Sequence, residues 1–136
     1  MATTTATITL TSSDLLTDEL SLSTSSTLTK AGNSTGLIGT EGLARKTTTS
    51  ASEYTLYAAA NYTDDKAHKI YLKNIETTAA LFFIVEVAGT VVGRLYAGDW
   101  CLIPWSADTT GTNCDIDITP STSASHTLEY MLFTDE

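Results

Sequence analysis

The 136-residue chain has little proline, cysteine, histidine and positive charge. Seven Lys and Arg residues stand against 16 Asp and Glu residues, which gives a net charge of −9. An acidic surface repels phosphate groups, so we expect no direct contact with nucleic acid. The longest apolar run, 79–85, has seven residues, whereas a membrane helix needs about 18 or more. The sequence therefore predicts no membrane association. Its first residues predict no signal peptide, because they contain neither a basic nor an apolar stretch.

Hydroxyl side chains are abundant, with 27 Thr and 13 Ser residues. Threonine is β-branched and favours strands. Apolar and hydroxyl residues alternate repeatedly, as in 7–11, where Ile8 and Leu10 share one face. Roughly eight to ten such segments, separated by turn residues, predict an all-β fold, an antiparallel β-sandwich or jelly roll. Only the segment 14–20 has the pattern of a helical turn.

The N-terminal third has fewer aromatic residues and more Ser and Thr than the rest of the chain. We predict that residues 1–41 form an extended Thr/Ser-rich N-terminal arm with outer strands. Residues 42–136 are predicted to form the β-sandwich core, with one domain overall. We expect residues 1–12 to lie over a neighbouring subunit as a donated strand. Ile8 and Leu10 are therefore candidate interface residues.

Asp115 and Asp117 lie two positions apart on a predicted strand, where alternation directs both carboxylates to one face. Such a pair could contribute oxygen ligands to Ca²⁺, but the sequence lacks the Asp-x-Asp-x-Asp-Gly loop of strong calcium sites. The alternative is a solvated face opposite the apolar residues of the same strand. We expect both carboxylates to be exposed and free of metal.

The sequence contains no catalytic signature. The motif Gly-x-Ser-x-Gly is absent, and neither His68 nor His126 lies by a Ser or Cys in a nucleophile-elbow arrangement. We expect His126 to be exposed at a strand start. Cys101 and Cys114 are too few for a four-ligand zinc site, and two cysteines in a chain without a leader favour free thiols over a disulfide. We therefore predict no catalytic residue, no metal site and no cofactor.

Two tryptophans mark the ends of one predicted strand. Alternation directs Trp100 to one face and Cys101 and Ile103 to the other. We assign Cys101 and Ile103 to the core, Trp105 to the edge of the core and Trp100 to a contact with another subunit or a shell. Tyr96 is a second candidate interface residue. The alternative is a sugar-binding platform formed by Trp100, Trp105 and Tyr96.

Four segments follow one another in the second part of the chain: KIYLKN at 69–74, GRLYAGDWCLIPW at 93–105, DIDITPS at 115–121 and TLEYMLF at 127–133. Over residues 42–136, their order resembles that of small virion proteins of tailed bacteriophages, particularly those of marine and cyanobacterial phages.

The resemblance implies a non-enzymatic virion structural protein. We expect a capsid decoration (cement) protein on the outer capsid surface, where it stabilises the head shell. Its partners would be the major capsid protein or other virion proteins, together with copies of itself in a homo-oligomer, for which we expect a trimer. The alternative is a tail, fibre or head-spike component that binds a host receptor glycan.

Overall fold

The structure is a computed structural model that describes residues 3–15, 17–110 and 113–135. These residues contain no α-helix, and a single 3₁₀ turn spans Ala59–Asn61. No helix in the described ranges is long and apolar enough to cross a membrane. The strands are β1 (Thr5–Ser12), β2 (Leu20–Thr27), β3 (Gly39–Thr40), β4 (Ala44–Thr48), β5 (Tyr54–Tyr57), β6 (His68–Asn74), β7 (Phe82–Val87), β8 (Thr90–Tyr96), β9 (Trp100–Trp105), β10 (Ile116–Pro120) and β11 (His126–Thr134). The all-β prediction is confirmed.

Nine of the strands form two antiparallel sheets that pack against each other. The four-stranded sheet has the order β5-β10-β7-β8. The five-stranded sheet has the order β3-β11-β6-β9, and β4 also pairs with β11. One apolar core draws side chains from both sheets. The predicted β-sandwich is therefore confirmed, and β8 and β9 are edge strands of different sheets.

Alternation along the strands separates the core from the outer faces. In β6, Ile70 and Leu72 are fully buried, whereas Lys69, Tyr71 and Lys73 are half-buried on the outer face. Full burial of one such aliphatic side chain contributes about 1.5–3 kcal/mol. The most buried members of the core are Ala59, Ile70, Leu72, Phe83, Ala107, Ile116, Ile118, Leu128 and Leu132.

Strand β9 alternates as the sequence predicts. Cys101 and Ile103 pack against the core, and Trp105 lies within it at 4% exposure. Trp100, on the opposite face, is 51% exposed. The assignment of the two faces is confirmed, whereas a contact made by Trp100 stays a prediction.

Two local predictions differ from the structure. The sequence predicts a hairpin turn at Gly89 and Thr90, but the turn between β7 and β8 lies one residue earlier. It consists of Ala88 and Gly89, which both have positive φ angles. Two such residues in succession match the twist of a two-residue hairpin. The described residues of 14–20 form bends and the start of β2 rather than a helical turn; Leu16 lies outside the described residues. The Leu15 N–H donates to Ser12 Oγ at 3.1 Å, a local bond that competes with helix formation.

The N-terminal strands form a separate hairpin. Strands β1 and β2 pair with each other from Thr5↔Thr27 to Ser12↔Leu20, and with no other strand of the described residues. The hairpin base is joined to the sandwich through Leu28, whose N–H donates to the Thr4 carbonyl and whose carbonyl accepts from Leu37. The role of this hairpin as an arm over a neighbouring subunit stays a prediction.

Asp135 fastens the segment after the hairpin to the end of the sandwich. Its Oδ2 accepts from the N–H groups of Ala31 and Ala67, each at 3.2 Å. Its own N–H donates to Nδ1 of His68 at 3.2 Å. Burial by itself would raise the pKa of Asp135, but the two N–H donors and nearby lysines lower it overall. The hairpin base therefore lies at the end of the sandwich where β11 finishes and β6 begins.

Candidate interaction surfaces

The hairpin exposes an apolar face. Leu10 and Leu22 are directly opposite across the β1–β2 pair and are 50% and 48% exposed. Ile8, two residues before Leu10, is half-buried on the same face. An isolated two-stranded hairpin is only marginally stable in water, and aliphatic side chains gain free energy when a partner covers them. The hairpin therefore has the properties of a docking element.

The other face of the hairpin is polar. The hydroxyl of Thr7 bonds that of Ser25 at 3.0 Å, and the hydroxyls of Thr9 and Ser23 are 3.3 Å apart. Cross-strand pairs of this kind contribute about 0.2–1 kcal/mol each. The outer edges of β1 and β2 are unpaired in the part of the chain that the structure describes. Unpaired edges present backbone N–H and C=O groups that another strand can use.

Trp100 lies on the outer face of the five-stranded sheet. Its register partner is Lys73, and the neighbouring pair on the same face is Tyr71 and Leu102. Lys69 follows on that face in β6. The result is a sheet face that combines aromatic and basic side chains, although the chain as a whole carries a charge of −9.

Glu129 is the acidic residue at the centre of that face. Both Nε and Nη2 of Arg45 donate to its Oε2, at 2.9 and 2.8 Å, and the Tyr71 hydroxyl donates to Oε1 at 3.3 Å. The Arg45 hydrogen bonds lower the pKa of Glu129 below its ordinary value. Since one arginine neutralises this carboxylate, Lys69 and Lys73 leave the face positively charged.

The three aromatics considered for a sugar platform do not form one. Tyr96, 43% exposed, lies on the outer face of the other sheet, with its ring 5.0 Å from that of Phe82. Trp105 is buried; its Nε1 donates to the Cys114 carbonyl at 2.7 Å, and its ring contacts Tyr62. The idea of a platform shared by the three residues is wrong, because Trp100 and Tyr96 lie on the outer faces of different sheets and Trp105 is buried.

The four predicted interface residues lie at opposite ends of the molecule. Trp100 pairs with Lys73 near the end of β6, and a three-residue turn separates it from Tyr96. Ile8 and Leu10 belong to the hairpin, whose base lies by the beginning of β6. The structure thus provides two separate candidate surfaces, the hairpin and the Trp100 end.

His126 is fully buried, so its predicted exposure is wrong. Residues 121–125 lead the chain from one sheet to the other, and His126 begins β11 facing the interior. Ser121 Oγ lies 3.0 Å from Nε2, and the Ala124 carbonyl lies 2.7 Å from Nδ1. Ser121 Oγ also accepts from the Phe82 N–H at 3.2 Å. No motif in the sequence indicates this serine–histidine pair, whose one signal is a spacing of five residues. Its hydrogen bonds hold the loop between the sheets in place.

The carboxylates Asp115 and Asp117 are half-buried, so their predicted exposure is also wrong. Asp115 accepts from the Ala59 N–H at 2.7 Å and from Asn113 Nδ2 at 3.1 Å. Asp117 accepts from the Thr55 hydroxyl at 2.7 Å. Among the described residues, no group of three His, Cys, Asp or Glu side chains is arranged to hold a metal ion. That Asp115 and Asp117 bind no metal stays a prediction.

The outer face of the four-stranded sheet is acidic. Burial raises the pKa of Glu53, and the negative charges of Asp117 and Glu86 raise it further. The two outer faces of the sandwich therefore differ in charge. Unlike charges on opposite faces orient protein association.

Cys101 and Cys114 are free and half-buried, in agreement with the sequence prediction. Burial raises the pKa of the Cys101 thiol, which keeps it protonated at neutral pH.

No protein-family model matches the chain, and no curated protein matches it in sequence.

Proposed function

We propose that this chain is a non-enzymatic structural protein of a tailed-bacteriophage virion. Its role would be that of a capsid decoration (cement) protein, which associates with copies of itself and with the major capsid protein on the outer head surface. The observation that carries the proposal is the hairpin, which offers an exposed apolar face and two unpaired edges.

The hairpin supports an assembly role for a physical reason. Eight residues in each strand extend about 26 Å at 3.3 Å per residue, far enough to reach a neighbouring molecule. Leu10 and Leu22 remain about half exposed at its surface. A shell-stabilising protein needs such a reach, because it must contact more than one subunit at once.

The buried and half-buried polar groups support a structural role. His126, Asp115 and Asp117 each bond groups within this chain. These contacts hold loops and strands together, and they occupy atoms that acid–base chemistry would require to be accessible. The segments that resemble phage virion proteins lie in β6, β8, β9, β10 and β11, which are five of the nine strands of the sandwich.

Copy number in purified particles tests the proposal. Quantitative mass spectrometry of intact virions should find this chain at an abundance close to that of the major capsid protein. A few copies per particle would point to a tail or fibre component instead. Absence from washed particles would overturn the proposal.

Particle binding tests the role of the hairpin. Leu10→Asp combined with Leu22→Asp should abolish rebinding to particles that have been stripped of this chain, because both changes charge the apolar face. Thr9→Asp, on the hydroxyl face of β1, is the matched control and should retain binding. Equal binding by all three proteins would refute a hairpin contact.

The second candidate is a tail, fibre or head-spike component that binds a host glycan. The exposed Trp100 ring beside Lys73 favours it, since flat aromatic surfaces stack on sugar rings. Glycan-array binding that is lost in Trp100→Ala and kept in Tyr96→Ala would support this function. Array binding by neither the unmodified chain nor its variants would exclude it.

A further inference from the structure

The sandwich interior opens between the two edge strands β8 and β9. A cleft of about 180 Å³ lies there, between edges that belong to different sheets. An apolar cavity of about 150 Å³ can hold a group as large as benzene, so this cleft has room for one aliphatic side chain. Its lining is apolar except for one arginine, and consists of Val85, Val92, Gly93, Arg94, Leu95, Cys101 and Ile103.

Gly93 gives the cleft its opening on the β8 side. It is the register partner of the buried Val85, so it faces the interior. Its backbone lies outside the left-handed region, and a β-carbon added there would meet no atom within 4 Å apart from those of its two chain neighbours. Nothing within the described chain requires a glycine at this position. Glycine inside a strand often marks close approach of another backbone.

Charge restricts what can enter the cleft. Two copies of a chain with a charge of −9 repel each other overall, so a contact between copies is favoured where it brings no further negative charges together. Residues 3–13 and 20–29 of the hairpin carry no charged side chain. Within this hairpin, β1 combines an unpaired edge with Ile8 and Leu10 on one face.

We propose that the cleft between β8 and β9 receives strand β1 of a second copy, with Leu10 in the cleft. This inference rests on the homo-oligomer of the proposed function and identifies its contact. The cleft takes an aliphatic side chain, and the open edges beside it accept backbone hydrogen bonds, as in other cases of strand addition.

The contact is head-to-tail. The hairpin base lies at the β6 start, whereas the cleft lies between β8 and β9, so donor and acceptor surfaces are different parts of one molecule. Such heterologous contacts form a ring when the rotation closes. A trimer is the ring that we expect.

A two-component crosslinking experiment tests the contact, because Cys101 lines the cleft. The donor carries Leu10→Cys with Cys101→Ser and Cys114→Ser; the acceptor keeps Cys101 and carries Cys114→Ser. Each component has one thiol, so a mixed disulfide can form only between copies. Donors with Ile8→Cys or Thr9→Cys, in the same background, provide a register test and an opposite-face control.

We expect the Leu10→Cys donor to form the mixed dimer in at least about tenfold higher yield than the Thr9→Cys donor, since a disulfide needs Cα atoms within about 7 Å. Higher yield from Ile8→Cys than from Leu10→Cys would overturn the placement of Leu10. Equal yields from all donors would overturn the contact itself.

A second variant tests the same contact without crosslinking. Gly93→Val adds a side chain to open space inside a strand, so the monomer should fold normally. It should lose self-association because the cleft is filled. An oligomer of unchanged mass in Gly93→Val would contradict the inference. If that oligomer still binds particles, the proposed function survives; failure of the unmodified chain to bind particles would overturn the function itself.

Discussion

Replacing Ile70 with alanine should destabilise the folded chain strongly, whereas Trp100→Ala should not. Ile70 is fully buried on β6, between Ile103 on β9 and Leu132 on β11. The substitution removes three carbons, each contributing about 0.8 kcal/mol when buried, or about 2.5 kcal/mol together. The cavity left in a close-packed core raises the total loss to about 3–4 kcal/mol. Domains of this kind have a total stability of only about 5–15 kcal/mol.

Urea denaturation of dilute protein measures the difference. With a slope of about 1–3 kcal/mol per molar urea, Ile70→Ala should lower the midpoint by about 2 M and leave the slope unchanged. Trp100 is 51% exposed on an edge strand, so Trp100→Ala should change the unfolding free energy by less than about 1 kcal/mol. Equal midpoint shifts in the two variants would refute the assignment of the faces.

Three further predictions concern polar groups. Because the pKa values of Glu129 and Asp135 lie below their ordinary values of 4.5 and 3.8, the unfolded chain binds protons more readily. The stability that these two groups contribute is present above pH 5 and is lost as the pH falls through their folded pKa values. The melting temperature should therefore fall between pH 5 and pH 3, and Glu129→Gln should make that fall smaller. The buried Tyr57 hydroxyl has no hydrogen-bond partner among the described residues, so Tyr57→Phe should leave the unfolding free energy unchanged or raise it by up to about 1 kcal/mol. Urea denaturation measures this, and a clear decrease of the midpoint would disprove it. Millimolar Ca²⁺ should not change the melting temperature, and an increase that disappears in Asp115→Asn would reveal a metal site.

The sequence predicted the strands well because each alternates over its own length. Strand β6 follows directly from the pattern, since Ile70 and Leu72 alternate with Lys69, Tyr71 and Lys73. The same pattern determined which face of β9 enters the core. It also identified β1, but not its pairing with β2, because alternation within a strand does not specify which strand lies beside it.

Burial of polar residues could not be predicted from the sequence. Whether His126 faces the core depends on where the loop from β10 crosses to the other sheet. Asp115 is half-buried because the Ala59 N–H, 56 positions away in sequence, donates to it. The cleft between β8 and β9 likewise exists only because two distant sheets place their edges together. Alternation describes one strand at a time and contains no information about such contacts.

The molar mass of the chain in solution tests hairpin-mediated assembly most directly. Light scattering across a range of concentrations should give a discrete oligomer for the unmodified chain, a multiple of 14.5 kDa. The Leu10→Asp and Leu22→Asp double variant should give a folded monomer, and Thr9→Asp should remain oligomeric. A monomer at every concentration for the unmodified chain, or an oligomer unaffected by the double substitution, would contradict the account.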